Sequence, residues 1–423
     1  MEACSVPRKS IGVRRGWRGV LLGWLILLGY SEASTYPLPP AGQFLVGQLQ
    51  DTQVRSGETL LDIARRYSVG LVELQDANPG VDPWLPAVGQ RVLIPSQHIL
   101  PNVPREGIVV NLPELRLYYF PPAKSGQQRV VITYPVGIGS EGRAIPVALT
   151  RIIQKKIDPP WVVPESILAE HVADGDPLPK VVPPGPENPL GRYALRLGLS
   201  SFLIHSTNHP YSVGMRISHG CLRMYPENIE ELFGKVAVGT PVRIIDQPFK
   251  AGWQGGVLYL EAHPPLAETE HGSDSNLTPM VEAVSRVINH RLNDHAWQAA
   301  ARAASQNSGI PTPIFAENAE PVQALVLSHA NAAKIDEQAW MVQVGVFRDL
   351  DKVQHVTQMM QGMDLPVIVS AAGEKRSCRI LVGPFHNRMD ATITADKIFK
   401  DTGLENFLVQ QNGSSRTDCR VSN

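Results

Sequence analysis

The chain has 423 residues, more than one ordinary domain, and on a prior of roughly 100–200 residues per domain it holds two to four, of which three fit the text best. Its 39 basic and 40 acidic residues leave a net charge of −1 at pH 7. That balance excludes a bulk-electrostatic binder of nucleic acid or of an anionic membrane, and it leaves the partner to be named by motifs.

Residues 1–33 differ in kind from the rest. Arg8, Lys9, Arg14, Arg15 and Arg18 precede an apolar run over 20–30, and Ser31 and Ala33 follow where a signal peptidase reads small residues. The pattern predicts a cleavable secretory signal over 1–33, with the mature chain starting near Ser34. The run is too short to cross a hydrocarbon layer, which takes ~20 residues, and no cysteine follows it to accept a lipid. Export removes Cys4 and leaves Cys221, Cys378 and Cys419, an odd number in an oxidising compartment. Either Cys378 pairs with Cys419 and leaves Cys221 reduced, or Cys378 is an ordinary buried residue and Cys419 part of a tail.

Over 46–98, Thr52-Gln53-Val54 reads as a strand and Arg55-Ser56-Gly57-Glu58 as a turn. Thr59 with Asp62 three residues on is a capping-box start to a helix carrying Leu60, Ile63, Ala64 and Tyr67. Leu71, Leu74 and Ala77 continue as a second helix that Asn78-Pro79-Gly80 stops, and 89–95 returns as a strand. This β-α-α-β text, with its G-E-T-L, A-N-P-G and L-I-P, resembles a LysM module. The resemblance implies binding to glycans such as peptidoglycan.

From 107 the pattern turns to strands. Residues 108–111 and 115–120 flank Leu112-Pro113-Glu114 as a hairpin, and 130–137 is a third strand. Gly137, Gly139 and Gly142 follow without the Gly-Lys-Ser or Gly-Lys-Thr of a phosphate loop, so they read as a tight strand-to-loop turn. Residues 158–191 are proline-rich and read as a stiff loop that suits a lid beside a cleft. Strands resume at 192–197 and 202–205, Pro226 opens a helix through Phe233, and 242–246 is a last strand.

Within this unit, His205-Ser206-Thr207 lies sixteen residues before Ser218-His219-Gly220-Cys221-Leu222-Arg223. A thiol of ordinary pKa, about 8.5, is mostly protonated at neutral pH and needs a base to act as a nucleophile, for which His205 and His219 are the candidates. A zinc site from His205, His209, His219 and Cys221 has poor spacing, because Asn208-His209-Pro210 breaks any helix that would align the first two. No metal and no cofactor is expected. The motif S-H-G-C-L-R with its upstream histidine resembles the signature of the L,D-transpeptidases of the YkuD or ErfK/YbiS/YcfS/YnhG type, and the match runs from about 36 to 246.

The resemblance implies a mainly β, sandwich-like catalytic domain over 107–246, located in the periplasm of a Gram-negative envelope. It assigns Cys221 as nucleophile and His205 as base and acid, with the Ser206 carbonyl holding the imidazole. It also assigns the Gly220 and Cys221 amides, with His219, as oxyanion donors. Arg223 and Ser218 are expected to bind substrate. The implied substrate is a peptidoglycan tetrapeptide stem, and the acceptor is a second stem, a lipoprotein lysine, or water in a carboxypeptidase. A catalytically silent wall-binding scaffold is the alternative from another class. Ile145-Pro146 stands where the family reads Thr-Pro.

Residues 264–333 read as a tether with helices over 279–292 and 294–304 and no chemistry. The last unit, 339–411, reads β-α-β-β-α-β, with V-Q-V-G-V-F and R-I-L-V-G-P-F each preceding a helix. It resembles a SPOR domain, which implies binding to septal peptidoglycan. The same element order serves RNA binding elsewhere, but the aromatic ribonucleoprotein motif is missing, so no nucleic-acid partner is expected. The fold class is therefore multidomain: a β-rich catalytic unit flanked by a small βααβ module and an α+β domain.

Overall fold

The structure is a computed structural model that describes residues 34–411, apart from 124, 144, 174, 200–201, 269–275, 318–338, 364, 373–376, 386–387 and 405. The expected signal over 1–33 and the role of Cys419 lie outside the described residues. Among the described residues, no helix is long and apolar enough to cross a membrane.

Strand β1 (Ser34–Pro37) joins the large catalytic sheet, and β2 (Leu45–Gly47) begins the approach to the first module. That module consists of β3 (Gln50–Gln53), α1 (Leu60–Arg66), α2 (Leu71–Ala77) and β4 (Arg91–Ile94), and β5 (Gln97–Ile99) then returns to pair with β2. Helix α1 starts at Thr59 because its hydroxyl accepts the Asp62 N–H while Asp62 accepts the Thr59 N–H, the reciprocal cap expected from the sequence. Helix α2 ends at Asn78, whose side chain donates to the carbonyls of Leu74 and Leu93 and accepts the Leu93 N–H at 2.7 Å. One amide thus stops the helix and ties it to β4.

The catalytic unit runs through β6 (Gly107–Asn111), β7 (Arg116–Phe120), β8 (Val130–Pro135), β9 (Ile138–Gly139), β10 (Ala148–Ile157), β11 (Trp161–Val162), α3 (Glu165–Ala173), β12 (Val181–Val182), β13 (Tyr193–Leu197), β14 (Leu203–His205), β15 (Arg216–Ser218), β16 (Leu222–Arg223), α4 (Pro226–Lys235) and β17 (Pro241–Ile245). Among the described residues, nine strands are connected in the order β1-β8-β7-β6-β17-β10-β13-β14-β16. Strand β10 is the corner. Its first half pairs with β17 and its second half with β13, with an irregularity between Ile152 and Gln154 where the strand changes partners. The two halves enclose a core that includes Leu117, Ile132 and Tyr134 from one side and Leu195, Leu197, Ile204 and Leu222 from the other, closed by Ile229 and Leu232 of α4. This is the sandwich expected from the sequence.

Two expectations are corrected. The proline-rich stretch is not a loop throughout: Pro164 accepts the first turn of α3, and β11 pairs with β12 beside it. Asn188, fully buried, donates to the carbonyls of Pro159, Val182 and Pro183 and accepts from the Leu190 N–H, so a donor-poor segment is held by a single side chain. The described part of the stretch read as a tether, 264–268 and 276–317, belongs largely to a packed unit. Strands β18 (Phe249–Gln254) and β19 (Val257–Ala262), helices α5 (Thr278–Ser285) and α6 (Asp294–Gln306), and strand β20 (Thr312–Ala316) form a three-stranded sheet covered by two helices, with Leu258, Leu260, Met280, Val284 and Ala300 in its core. The helices were legible, but prolines 311 and 313 masked β20, which pairs only along one side.

The last unit has β21 (Ala339–Phe347), α7 (Leu350–Gly362), β22 (Val367–Ala372), β23 (Ser377–Phe385), α8 (Arg388–Thr402) and β24 (Phe407–Gln411), with sheet order β22-β23-β21-β24. Phe407 packs edge-on against Trp84 of the first module at 4.6 Å between centroids, and Arg379 pairs with Asp82. Cys378 is disulfide-bonded, its partner being outside the described residues.

A buried ionic cluster joins the first module, the catalytic sheet and the 249–316 unit. Glu73 of α2 pairs with Arg116 of β7, and Lys250 of β18 bridges Glu114 and Glu261 at 2.9 and 2.8 Å. Tyr118 donates to Glu114, and His263 lies 2.8 Å from Glu261. Burial would raise the Glu114 carboxyl, but the nearby Lys250 and Arg116 charges, with His263 alongside, outweigh it and hold it down at about 2.

Candidate active site

The site is built on a parallel pair. In β14 and β16, Ile204 faces Leu222 and His205 faces Arg223. Side chains alternate along a strand, so the register puts Leu203, His205 and Arg223 on one face, and the same alternation carries on to Cys221, the residue just before β16. The Met224 N–H donates to the His205 carbonyl at 3.0 Å and fixes that register. Arg223 sits at the electrostatic centre: its charge lowers the pKa values of His205, His209, His219 and Cys221.

His205 is 3% exposed, and its Nδ1 lies 2.5 Å from the carbonyl of Ser206. That contact requires a proton on Nδ1, which leaves Nε2 with a free lone pair. Burial first, then Arg223, push the imidazole down to about 3, against a partial upward pull from backbone hydrogen bonds with Ser206 and Leu190. Burial pushes the Cys221 thiol up, opposed by a backbone hydrogen bond with Leu203 and by Arg223. Cys221 is not in a disulfide. The resting pair is therefore a thiol and a neutral imidazole, the state a general base needs before attack.

The loop that carries Cys221 is held by Ser218. Its hydroxyl, buried, donates to the Cys221 carbonyl at 2.7 Å and accepts the Gly220 N–H at 3.2 Å. The hydroxyl, expected to bind substrate, here organises the loop from inside. The Gly220 amide is likewise engaged within the loop in this resting form. Gly220 has φ +109°, and a Cβ there would come within 2.9 Å of the Arg143 carbonyl and 3.0 Å of the Phe202 ring, so only glycine fits. Gly139 answers the same need from the other side, since its Cβ would meet the Arg143 carbonyl at 2.2 Å. Gly137 and Gly139 are thus places of close backbone approach, whereas Gly142, with nothing near it, serves its turn through φ +73°.

His219 stands at the rim, with Nε2 3.3 Å from Glu170 of α3. His209 is a neighbour of Tyr211, whose hydroxyl lies 2.7 Å from its Nδ1. The potential metal-holding group found among the described residues is His98, Glu114 and Glu261, remote from these histidines in sequence and fold, with Lys250 bridging its two carboxylates. Sequence reasoning missed Glu170, Arg143 and Gly191. A Cβ on Gly191 would meet the Ser206 side chain at 2.6 Å, so this glycine lets the proline-rich segment lie against the residue whose carbonyl orients His205. A glycine after Asn-Pro-Leu is the one local signal that could have marked it.

Comparison with known proteins decides the family. The YkuD family model, an L,D-transpeptidase catalytic domain, matches residues 105–244, a LysM domain model matches 52–95, and a SPOR domain model matches 336–410. "Probable L,D-transpeptidase YbiS" of Escherichia coli (strain K12) is 46% identical over 244 residues, which cover 57% of this chain and 78% of that protein. "Probable L,D-transpeptidase YcfS" of the same organism is 43% identical over 256 residues, covering 59% of this chain and 78% of that protein. "Probable L,D-transpeptidase ErfK/SrfK", also of E. coli (strain K12), is 40% identical over 291 residues, covering 67% and 92%.

The chain belongs to the L,D-transpeptidase family. In this L,D-transpeptidase the catalytic domain carries a LysM domain before it and a SPOR domain after it. The family motif therefore falls on the β14 to β16 pair, with its two chemical side chains on one sheet face.

Proposed function

We propose that this protein exchanges peptide bonds in peptidoglycan tetrapeptide stems through a thioester on Cys221, after export to the periplasm. The observation that carries the reading is the β14/β16 register, with the His205 Nδ1 fixed by the Ser206 carbonyl. The sulfur attacks the carbonyl between the third and fourth residues of the stem. His205 Nε2 takes the thiol proton and returns it to the nitrogen of the departing terminal D-amino acid. The carbon–nitrogen bond breaks and a carbon–sulfur bond remains.

An amine then adds to the thioester, His205 takes its proton, and the sulfur leaves and is reprotonated. The oxyanion formed in each step is met by the Cys221 and Gly220 amides, the latter released from Ser218 on binding, and by His219 at the rim. Arg223, inside the same face, is suited to a stem carboxylate. The acceptor is the side-chain amine of a second stem, giving 3→3 cross-links, or the terminal lysine of an outer-membrane lipoprotein. The LysM and SPOR domains bind the glycan and hold the enzyme on its substrate.

The full-length protein incubated with a tetrapeptide stem should gain the mass of the tripeptide acyl group on Cys221, and the Cys221→Ala variant should gain none. In cells whose own copy is replaced by Cys221→Ala, muropeptide digests should lose 3→3 dimers or lipoprotein-linked stems, and which is lost names the acceptor. Unchanged digests together with full turnover by the variant would remove Cys221 from the mechanism.

A further inference from the structure

Glu170 of α3 reaches both pieces of backbone that border Cys221. Its carboxylate accepts hydrogen bonds from Arg143 Nη2 at 3.0 and 3.2 Å and lies 3.3 Å from His219 Nε2. Arg143 belongs to the turn after β9, and its carbonyl lies against Gly139 and Gly220. His219 is two residues before Cys221. A single side chain on the proline-rich segment therefore ties that segment to the loops on either side of the nucleophile. Arg143 and His219 hold the Glu170 carboxyl below its ordinary value, so at neutral pH it is charged.

The side chains of Glu170, Arg143 and His219 are 27%, 33% and 35% exposed. They form a wet rim, and ion pairs this exposed are individually weak. Weakness fits a closure that must open for a donor, close over an acyl group and open again for product. The rest of the segment is held by the Asn188 staple, so movement is confined to α3 and its neighbours.

We propose that Glu170 is a positioning residue, a latch that keeps α3 closed on the Cys221 loop while the thioester waits for its amine. The inference rests on the thioester reading above. The thioester carbonyl accepts either an amine nitrogen, giving an amide, or a water oxygen, giving a free carboxylate. In both cases the carbon–sulfur bond breaks and the sulfur recovers a proton. A closed rim limits water at that stage, and Glu170 acts through Arg143 and His219 without touching the reacting atoms.

The test compares wild type, Glu170→Gln and Glu170→Ala in the full chain, with a tetrapeptide stem as donor and a second stem as amine. The readout is the ratio of hydrolysed to cross-linked product, which counts only enzyme that has been acylated and is unmoved by loss of folded protein. Glu170→Ala should raise that ratio about tenfold, with faster amide exchange over 165–173. Glu170→Gln, which keeps acceptor geometry without charge, should fall between. A ratio unchanged in Glu170→Ala, with thioester forming normally, overturns the latch. Absence of any thioester on Cys221 in the wild-type chain overturns instead the nucleophile assignment on which it rests.

Discussion

The protonation state of the Cys221/His205 pair can be tested by titrating the reactivity of the sulfur. The thiol is raised from its ordinary 9.0 and the imidazole stands at about 3. At 1.36 kcal/mol for each tenfold step, moving the proton from sulfur to nitrogen is uphill by at least about 8 kcal/mol for the separate groups. Attraction within the resulting ion pair offsets about 4 kcal/mol at contact in an effective dielectric of about 20. The net, about 4 kcal/mol, leaves on the order of one molecule in a thousand as thiolate and imidazolium. The perturbation is pH, from 5 to 9.5, on the wild-type protein and on His205→Asn. Alkylation by iodoacetamide, followed by mass, should hold a low floor up to about pH 6, set by that minor ion pair, and then climb with no plateau below about pH 8, slower at pH 7 than for a free cysteine. A fast, flat plateau between pH 5 and 7, or thiolate absorbance near 240 nm at pH 7, would refute the reasoning.

Two further expectations concern stability. His205 binds a proton near 6.5 when unfolded but only at about 3 when folded. The unfolded chain thus holds more protons between those values, and stability rises with pH across that window by up to about 5 kcal/mol. Urea titrations should show this slope in wild type and lose it in His205→Asn; equal slopes would contradict the buried neutral imidazole. In the ionic cluster, Glu73→Met or Arg116→Met alone strips a buried charge of its close partner, leaving Arg116 only Glu114 at 3.8 Å in the first case, and should cost about 3–5 kcal/mol, whereas the double change should be far closer to wild type. A double-mutant cycle in urea measures the coupling, and single costs that simply add would show that the pair is not coupled.

The order of modules, most strands of the catalytic domain and the contiguous motif that carries the proposed nucleophile were legible in the sequence, because each rests on local information. S-H-G-C-L-R is a contiguous string, alternation marks a strand, and Thr59 with Asp62 writes a helix cap within four residues. The carbonyl orienting His205 was legible for the same reason, being the next residue along.

What only the tertiary structure decided involves partners far apart in the chain. Glu170 meets His219 across 49 residues, Glu73 meets Arg116 across 43, and β20 gains strand character only from β19. No periodicity announces such pairs, since burial and charge neutralisation are properties of surfaces brought together by folding. Ser218 shows the limit most sharply. Its place in the motif suggested a substrate contact, while the inward turn of its hydroxyl, set by the chain path between β15 and β16, shows a bracing role that the string of letters does not carry.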